Sequence, residues 1–438
     1  MNRSPSLAER LSGSPFQSYV YSYPHKTTYR TLERPIPLRE AWAQEDRSAL
    51  FLYLHVPFCE QRCGFCNLFT QSQPPQPQVT AYLDALERQA ETVAAEIQPQ
   101  GIARMAVGGG TPTFLSPPDL DRLFRIAAGL GASRIPCSVE LSPVTASAER
   151  IAILRHHGVN RVSLGVQSTL APETDALRRH QDPANVAAAI TRLRAAGFPT
   201  VNADLMYGQT GQTTDSLTRS IDEVISWGAN EVYLYPLYVR PLTILGRLGT
   251  GPVPSQPDLY LAGRDHLRAL GWQQRSMRLF QAPDAPATTG PAYRCQEDGM
   301  IGLGPSARSY TTSLHYASSY AVGQAAIRDR ITAWSAQTNA DFAVIRHGFV
   351  LDAEDQRRRY AILSLLECGL DEVAYARRFG TTVSNDLPML AEGLPLGVLA
   401  YGDGLWRLTD RGVGCADVIG RWLFSRRVEE LMETWTAA

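Results

Sequence analysis

The sequence has no surplus of charge, no long apolar run and few cysteines, and each absence narrows its possible functions. Its 438 residues contain 42 Lys+Arg and 43 Asp+Glu, which leaves a formal net charge of −1. A chain without a global positive field has no general attraction to nucleic acid or to an acidic membrane surface. No apolar run reaches the ~18 residues needed to span a bilayer, and no signal-peptide core follows Met1. We therefore expect a cytoplasmic protein with no membrane span and no nucleic-acid partner.

The glycine motifs typical of nucleotide-binding proteins are also missing. The chain has no G-x-x-x-x-G-K-[ST] loop and no G-x-G-x-x-G between a strand and a helix, which disfavours an NTPase or a Rossmann fold. Three glycines, 108–110, instead follow a predicted strand directly. Because they carry no Cβ, their backbone N–H and C=O groups can approach a ligand closely. We expect them to meet a carboxylate or an amino group rather than a pyrophosphate.

Three of the seven cysteines, Cys59, Cys63 and Cys66, form a C-x3-C-x2-C cluster, and the others are scattered. An odd cluster in a chain this long does not indicate a disulfide scaffold. A zinc site usually shows two Cys or His pairs, so a zinc knuckle lacking one ligand is the weaker alternative. Three thiolates can bind three irons of a [4Fe–4S] cluster and leave the fourth iron open. The spacing therefore favours an iron–sulfur cluster with one free coordination position.

A repeated pattern of helix, glycine and strand predicts an α/β fold. It occurs around Gly158, Gly197 and Gly228, and about six strands can be counted between residues 50 and 238. Alternating units of this length predict a parallel sheet with helices outside it. Six strands are fewer than the eight that close a full barrel.

Polar or glycine-rich segments stand at the carboxyl end of every predicted strand, where sites occur in such folds. These ends are residues 55–66, 108–113, 140–143, 165–168, 204–208 and 236–238. We expect their polar groups to meet in one pocket with the cysteine cluster at its rim.

The motifs together resemble the radical S-adenosylmethionine (SAM) proteins related to oxygen-independent coproporphyrinogen III oxidase. The resemblance rests on Tyr53-x-His55-x-Pro57-Phe58-Cys59-x3-Cys63-x-Phe65-Cys66, Gly108-Gly-Gly-Thr-Pro-Thr113, Glu140, Gly165-Val-Gln167, Arg179 and Asp204-Leu-x-Tyr-Gly208. It implies a partial (β/α)6 radical SAM barrel. The implied domains are an N-terminal arm or lid at 1–47, the barrel with its extension at 48–335, and a C-terminal helical, winged-helix-like cap domain at 336–438.

The resemblance also implies a chemistry and a set of site residues. SAM would chelate the open iron, and one electron would cleave it to a 5′-deoxyadenosyl radical that abstracts hydrogen from a substrate. One or two SAM molecules would bind. The implied catalytic residues are Tyr53, His55 and Glu140. The implied cofactor-binding residues are Tyr53, Phe65, Gly109, Gly110, Thr111 and Glu140 for the first SAM, Gln167, Arg179 and Asp204 for the second, and also Tyr238 and Ala307.

One departure from the oxidase pattern leaves the substrate open. The oxidase carries a further cysteine two residues after the third cluster ligand, and this chain has Leu68 there. A heme chaperone and a radical methyl-transferring enzyme that uses two SAM molecules are therefore alternatives. The implied partners are a small-molecule substrate, with a tetrapyrrole as one candidate, and an electron donor such as a flavodoxin or ferredoxin. We expect a monomer.

The N-terminal arm contains an unusual tyrosine-rich segment, residues 19–27, within an otherwise irregular stretch. It is either an edge strand packed on the main body or a lid that brings His25 and Lys26 into the substrate space.

Near the C-terminus, helices are predicted around 353–367, 371–379 and 384–393, followed by a hairpin at Asp403-Gly404. Arg357, Arg358 and Arg359 raise the alternative of DNA binding. The module has no sustained basic stripe, so this alternative is disfavoured.

Overall fold

The computed structural model describes residues 5–16, 19–287, 293–295, 297–367 and 369–436. Cys368 and residues 1–4 and 17–18 of the predicted arm lie outside the described residues. Within the described ranges, no helix is long and apolar enough to cross a membrane.

Most strands are short, and those that carry the parallel sheet are five to eight residues long. The strands are β1 Arg30–Pro37, β2 Leu50–Val56, β3 Phe58–Cys59, β4 Gln71–Ser72, β5 Ile102–Gly109, β6 Cys137–Leu141, β7 Arg161–Gln167, β8 Thr200–Tyr207, β9 Glu231–Pro236, β10 Gln273–Gln274, β11 Leu279–Gln281, β12 Met300–Leu303, β13 Ser309–Tyr310, β14 Leu314–Tyr316, β15 Val344–Val350, β16 Leu370–Asp371, β17 Leu399–Gly402 and β18 Leu405–Leu408.

The helices alternate with these strands in the first half of the chain and dominate its end. They are α1 Leu7–Leu11, α2 Leu38–Trp42, α3 Gln76–Ile97, α4 Pro117–Ala128, α5 Ala148–His156, α6 Ala171–Ala176, α7 Pro183–Ala195, α8 Thr214–Ser226, α9 Ile244–Arg247, α10 Gln256–Ala269, α11 Gln324–Ser335, α12 Asn339–Phe342, α13 Ala353–Glu367, α14 Glu372–Phe379, α15 Val383–Asp386, α16 Asp410–Gly414, α17 Ala416–Trp422 and α18 Arg426–Glu433. Short 3-10 turns cover Lys26–Thr28, Pro112–Phe114 and Pro388–Gly393.

One sheet of 13 strands runs through the molecule in the order β1-β15-β14-β13-β12-β2-β5-β6-β7-β8-β9-β11-β10. Strands β2 and β5 to β9 pair in parallel and in chain order, and β12 also pairs in parallel with β2. This confirms the predicted α/β fold with six consecutive parallel strands. Among the described residues β1 and β10 remain separate edges, so the sheet is open.

Local sequence explains where the helices of this sheet begin and end. The N-caps of α4, α5, α7 and α8 are Ser116, Ser147, Asp182 and Thr213, and each side chain accepts a backbone N–H of the first turn. After α5 the chain turns at Gly158, whose φ of 77° lies in the left-handed region that favours glycine. The predicted pattern of helix, glycine and strand is therefore confirmed.

The arm is more ordered than predicted and packs on the C-terminal module. Residues 19–25 form no strand, so the edge-strand interpretation is wrong; the strand begins at Arg30. The reason lies in packing: the fully buried Tyr23 donates from its hydroxyl to Asp355 at 2.6 Å, which turns the segment into the protein. Leu7, Val20 and Tyr23 join one hydrophobic core with residues of the C-terminal module.

The C-terminal module has the predicted helices around 353–367 and 371–379 and the predicted hairpin, but the predicted helix at 384–393 is divided into the short α15 and the 3-10 turn Pro388–Gly393. Helix α13 has the predicted bounds, and β17 and β18 pair antiparallel around Asp403-Gly404. Arg359 is buried, while Arg358 binds Glu354 and Arg357 binds Asp386. The three arginines therefore do not form a shared surface for DNA.

Candidate active site

The polar ends of the parallel strands meet in one cavity of about 980 Å³. Its wall includes Gly110 after β5, Glu140 in β6, Gln167 in β7, Asp204 in β8 and Pro236 in β9, and the three clustered cysteines lie on it too. The parallel register brings these ends to the same edge, because successive strands run in one direction with helices returning outside them. The predicted convergence of strand ends is confirmed.

The cysteine loop is held to the barrel on both sides. Cys59 ends β3, which pairs with β4, and a turn joins the Cys66 N–H to the Cys63 carbonyl at 3.1 Å. Between them the Gly64 N–H donates to the Leu177 carbonyl at 2.8 Å, and a Cβ on Gly64 would lie 2.8 Å from that same oxygen. The loop is therefore fixed by backbone contacts that leave no room for a side chain at position 64.

Three side chains donate hydrogen bonds to the cysteine sulfurs. The hydroxyls of Thr70 and Thr111 lie 3.2 and 3.4 Å from the Cys59 Sγ, and the Arg179 Nη1 lies 3.2 Å from the Cys63 Sγ. Burial raises the pKa of the Cys59 thiol to about 12, and the two threonine hydroxyls oppose this rise. Donors aimed at buried sulfurs stabilise negative charge on them, which is the state in which sulfur binds iron.

The loop suits a cluster of several irons better than a single ion. Among the described residues, no three His, Cys, Asp or Glu side chains converge on a position for one metal ion. Burial and repulsion from Cys63 raise the pKa of Cys66, so these thiols are close enough to interact. A [4Fe–4S] cluster bonds each cysteine to a different iron, so its ligands stay apart. The arrangement fits such a cluster at Cys59, Cys63 and Cys66 and does not support the zinc-knuckle alternative.

The glycine triplet is packed too closely for any side chain. A Cβ on Gly108 would lie 2.8 Å from the Glu140 Cδ, and one on Gly109 would lie 2.6 Å from the His55 ring. One on Gly110 would lie 2.4 Å from the Phe58 carbonyl oxygen. Gly109 also has a φ of 114°, which strains any other residue. The triplet lets the backbone of β5 pass between His55 and the cavity.

His55 lies behind the triplet as a neutral ring. Its Nε2 lies 2.9 Å from the Phe69 carbonyl oxygen, which can only accept, so Nε2 carries the proton. Burial lowers the pKa of His55 to about 4. The remaining nitrogen, Nδ1, therefore accepts from the Tyr53 hydroxyl at 3.3 Å. Neither Tyr53 nor His55 lines the cavity: His55 packs against Gly109 from behind, and Tyr53 in turn contacts His55.

Glu140 and Asp204 bring two carboxyl groups to the cavity. Glu140 is accessible from inside the cavity but enclosed by protein, and this burial, followed by repulsion from Asp204, raises its pKa to about 7. The Gly109 N–H donates to Glu140 at 3.1 Å. Burial also raises the pKa of Asp204 to about 6, although Asn202 and Ser163 donate to it at 2.7 and 3.2 Å. Both groups titrate close to neutral pH, as functional carboxyls often do.

Gln167 and Arg179 converge above Gly165. A Cβ on Gly165 would lie 3.3 Å from the Gln167 Nε2 and 3.5 Å from the Arg179 Nη2. Gln167 has a φ of 68°, and the pairing of β7 with β8 shifts register at this point. An unfavourable backbone conformation next to a bulge is often found at ligand sites.

The structure places most predicted site residues in the cavity wall and a few outside it. On the wall are Cys59, Cys63, Cys66, Phe65, Gly109, Gly110, Thr111, Glu140, Gln167, Arg179, Asp204 and Tyr238. Ala307 is buried next to the wall, and its neighbour Arg308 lines the cavity instead. The Tyr238 hydroxyl donates to Asp417 at 2.6 Å, which ties this wall to α17.

Several wall residues were not predicted. Thr70, Ser163, Tyr235, Arg240 and Arg308 all line the cavity. Ser163 and Tyr235 lie on predicted strands, two residues and one residue before the predicted ends, and their alternation along the strand could have identified them. Arg240 and Arg308 lie in segments without a clear periodicity, and the only signal for them was their closeness in sequence to the predicted Tyr238 and Ala307.

The match to a family model covers most of the parallel strands that build this site, from β2 to β8. The model described as "Radical SAM superfamily" matches residues 53–224. A heme chaperone, HemW, of Bacillus subtilis is 31% identical over 270 residues, which are 59% of this chain and 70% of the relative.

A second relative aligns over a larger share of the chain. The oxygen-independent coproporphyrinogen III oxidase of Escherichia coli is 27% identical over 427 residues, 91% of this chain and 90% of the relative. The solved structure of the coproporphyrinogen III oxidase HemN of Escherichia coli superposes with a TM-score of 0.80 at 23% identity, covering 93% of this chain and 97% of that one. The likeness therefore extends from the arm through the C-terminal module.

Proposed function

Because the chain belongs to the radical SAM superfamily, whose members use a [4Fe–4S] cluster and SAM, we propose that it cleaves SAM reductively and uses the resulting radical to oxidise or modify an organic substrate. When bound at Cys59, Cys63 and Cys66, the cluster supplies the electron that converts SAM into methionine and a 5′-deoxyadenosyl radical. The observation that carries the proposal is the position of the three thiols on the same cavity wall as the polar strand ends.

The chain's own residues would prepare this chemistry by binding and charge. Thr70, Thr111 and Arg179 donate to the cysteine sulfurs, which favours the thiolate state. Glu140 presents a carboxylate to the sulfonium charge of SAM, while the N–H of Gly109 orients that carboxylate. Phe65 and Thr111 complete the wall on the cluster side.

A second SAM molecule would bind beside Gln167, Arg179 and Asp204. Arg179 offers a planar guanidinium that suits a carboxylate, and Asp204 offers negative charge to a sulfonium. Both line the cavity with Gln167, next to the first set of residues. Binding of two equivalents of SAM by the reconstituted protein, measured by equilibrium dialysis, would support this part of the proposal, and one equivalent would contradict it.

A tetrapyrrole is the substrate that the relatives suggest. The oxidase of Escherichia coli aligns with 91% of this chain, so the alignment reaches beyond the parallel strands into the segments that complete the cavity here. Leu68 is 46% exposed and lines the cavity, at the position where the oxidase pattern has a further cysteine. The reaction on the substrate would therefore differ in the step that involves that position.

The cleavage of SAM tests the proposal directly. The cluster is reconstituted anaerobically, and SAM is added with dithionite or with reduced flavodoxin or ferredoxin as the electron donor. We expect 5′-deoxyadenosine in the wild-type protein and none in Cys63→Ala. An intact cluster that yields no 5′-deoxyadenosine would contradict the proposal.

A heme chaperone is the second candidate, because HemW of Bacillus subtilis is 31% identical to this chain. A chaperone would bind heme without turnover of SAM. Titration of the reconstituted protein with micromolar heme would then shift the Soret band and saturate at one equivalent. A spectrum equal to that of free heme would exclude this function.

A further inference from the structure

Lys26 is the only lysine in the sequence, and it lies in the cavity. Its Nζ is 3.5 Å from the centre of the Tyr320 ring. The Tyr320 hydroxyl in turn donates to the carbonyl of Asn67, the residue after Cys66. A cation held over an aromatic ring is fixed in position. This contact places the ammonium group beside the cysteine loop.

Two arginines of the cavity wall bring further positive charge to the same place. Arg308 is oriented by the arm: its Nη1 donates to the Ser22 Oγ at 2.9 Å, and its guanidinium carbon lies 4.6 Å from the centre of the Tyr21 ring. Burial, followed by the positive charges of Arg308 and Arg240, lowers the pKa of Lys26 to about 7. Lys26, Arg240 and Arg308 line the same cavity, and both arginines act on Lys26 as nearby positive charges.

The counter-charge near Lys26 does not come from a carboxylate: negative charge at Cys66, in the cysteine loop, opposes the fall in the pKa of Lys26. Arg421, another basic residue of the wall, binds Glu429 at 3.2 Å, whereas no carboxylate of the described chain pairs with Lys26, Arg240 or Arg308. The acids of the cavity wall do not neutralise them either. Glu140 and Asp204 accept from other groups, and Glu60 has a buried oxygen without a hydrogen-bond partner.

We propose that Lys26, Arg240 and Arg308 bind an acidic group of the substrate, a carboxylate or a phosphate. This inference rests on the proposed function for the presence of a substrate in this cavity. Like charges gathered on one cavity wall are unfavourable until an oppositely charged ligand joins them, and Arg308 offers a planar set of donors that matches two oxyanion oxygens. Aromatic side chains, Tyr21, Tyr320 and Trp435, line the cavity around them. The substrate is accordingly an organic acid whose apolar body lies against these rings.

The single lysine makes the site measurable by chemical labelling. Cluster-reconstituted protein without reductant is treated with an amine-reactive reagent, and modification of Lys26 is followed by mass spectrometry with the N-terminal amine as internal control. We expect inorganic phosphate at millimolar concentration to slow the labelling of Lys26 at least fivefold relative to chloride at equal ionic strength. Equal labelling rates in phosphate and chloride would mean that any bound anion is an adventitious ion only, and this result would overturn the proposal.

Variants separate binding from general electrostatics. Arg308→Gln is expected to abolish the protection by phosphate, while Arg192→Gln, an exposed arginine on α7, leaves it unchanged. SAM alone, at saturation, is the second arm of the experiment. If SAM alone protects Lys26 as well as phosphate does, the acidic group belongs to SAM, and the assignment to the substrate is wrong.

The affinities of a tetrapyrrole acid and of its ester test whether this site binds the proposed class of substrate. With SAM saturating, coproporphyrin III should bind at least tenfold more tightly than its tetramethyl ester. Lys26→Met should remove that difference, and Lys26→Arg should retain it within about threefold. Equal affinity of acid and ester would overturn the acid-binding site. Protection by phosphate without binding of either porphyrin would leave the site supported and would contradict only the tetrapyrrole substrate.

Discussion

Arg179 and Cys63 lie in direct contact, with the guanidinium Nη1 3.2 Å from the thiol sulfur. The Nη2 of the same guanidinium lies 2.6 Å from the Gly165 carbonyl oxygen, which fixes its orientation. One side chain thus connects the cysteine loop to the end of β7. Its positive charge would therefore stabilise an electron added to a bound cluster.

Replacement of Arg179 should make a bound cluster harder to reduce. Hydrogen bonds to cluster sulfurs set the reduction potential, and loss of one worth about 1 kcal/mol shifts a one-electron potential on the order of 50 mV. We expect Arg179→Gln to lower the potential by that amount in a redox titration followed by EPR. The reduction potential of Arg179→Lys should lie between those of the wild-type protein and Arg179→Gln. An unchanged potential in Arg179→Gln would contradict a role for this hydrogen bond.

Iron loading should depend on Cys63 and not on Cys137. Cys63 lies on the cavity wall, whereas Cys137 begins β6 and is buried in the core, where burial raises the pKa of its thiol. We expect Cys63→Ala to lose the cluster and Cys137→Ala to keep the wild-type content, as measured by iron and sulfide analysis after reconstitution. Equal loss of iron in both variants would show that the ligand assignment is wrong.

The affinity for SAM should rise with pH through about 7. Burial and repulsion from Asp204 raise the pKa of Glu140 to about 7, so this carboxyl is protonated below that pH and negatively charged above it. Because SAM carries a permanent sulfonium charge, it binds the ionised form more tightly. We expect anaerobic equilibrium dialysis to show tighter binding at pH 8 than at pH 6.5.

The pH dependence has a matched control. Glu140→Gln cannot ionise, so its affinity should stay near the low-pH value of the wild-type protein and change little between pH 6.5 and 8. Asp204 titrates at about 6 and is largely ionised across this interval. A steep dependence that persists in Glu140→Gln would assign the effect to another group.

The sequence predicted the elements of the fold well because their signals are local. Alternating βα units, helix-ending glycines such as Gly158 and the cysteine spacing each depend on a few neighbouring residues. Carboxyl ends of parallel strands share an edge, so the convergence of Glu140, Gln167 and Asp204 also followed from local signals.

Positions that depend on packing between distant segments were not predictable in the same way. Residues 19–25 read as a strand by propensity, but the buried bond from Tyr23 to Asp355, 332 residues away, decides their course. Arg240 and Arg308 reach the cavity from segments without periodicity. Tyr53 and His55 belong to the matched motif, yet neither lines the cavity, and only side-chain packing shows that His55 lies behind Gly109.

Gly109 should tolerate no side chain, because of both steric contact and backbone strain. A substitution at Gly131 can separate these two effects. An added Cβ would lie 2.6 Å from the His55 ring, and the φ of 114° adds backbone strain. Gly131 has a φ of 84° and open space around a Cβ, so Gly131→Ala reports the strain alone. We expect Gly131→Ala to cost ~1 kcal/mol and Gly109→Ala more than ~2 kcal/mol.

The two variants are compared by their Tm in thermal unfolding and by their affinity for SAM. Gly109→Ala should lower Tm further than Gly131→Ala and should also weaken SAM binding, because His55 supports the glycine triplet. Equal shifts in Tm would mean that the His55 ring moves aside without penalty.

Asp417 should control how firmly the arm is attached. Its carboxylate accepts from the Val20 N–H at 3.1 Å, the Tyr238 hydroxyl at 2.6 Å and the Arg278 Nη2 at 2.5 Å. The side chains of Arg278 and Asp417 are only 6% and 2% exposed. Removal of one partner of a buried ion pair typically costs ~3–5 kcal/mol, because the other charge stays buried without compensation. We therefore expect Asp417→Asn to lower Tm strongly and to speed tryptic cleavage within the arm, at Arg30 for example.

Asp410→Asn is the matched control, because Asp410 binds Arg268 at 3.0 Å at the surface, where its side chain is 78% exposed. Exposed pairs contribute ~0–1 kcal/mol, so this variant should keep Tm and tryptic resistance near wild type. The comparison holds the chemical change constant and varies only burial. If Asp417→Asn is as stable and as resistant to trypsin as Asp410→Asn, the buried contacts of Asp417 do not hold the arm against the cavity wall.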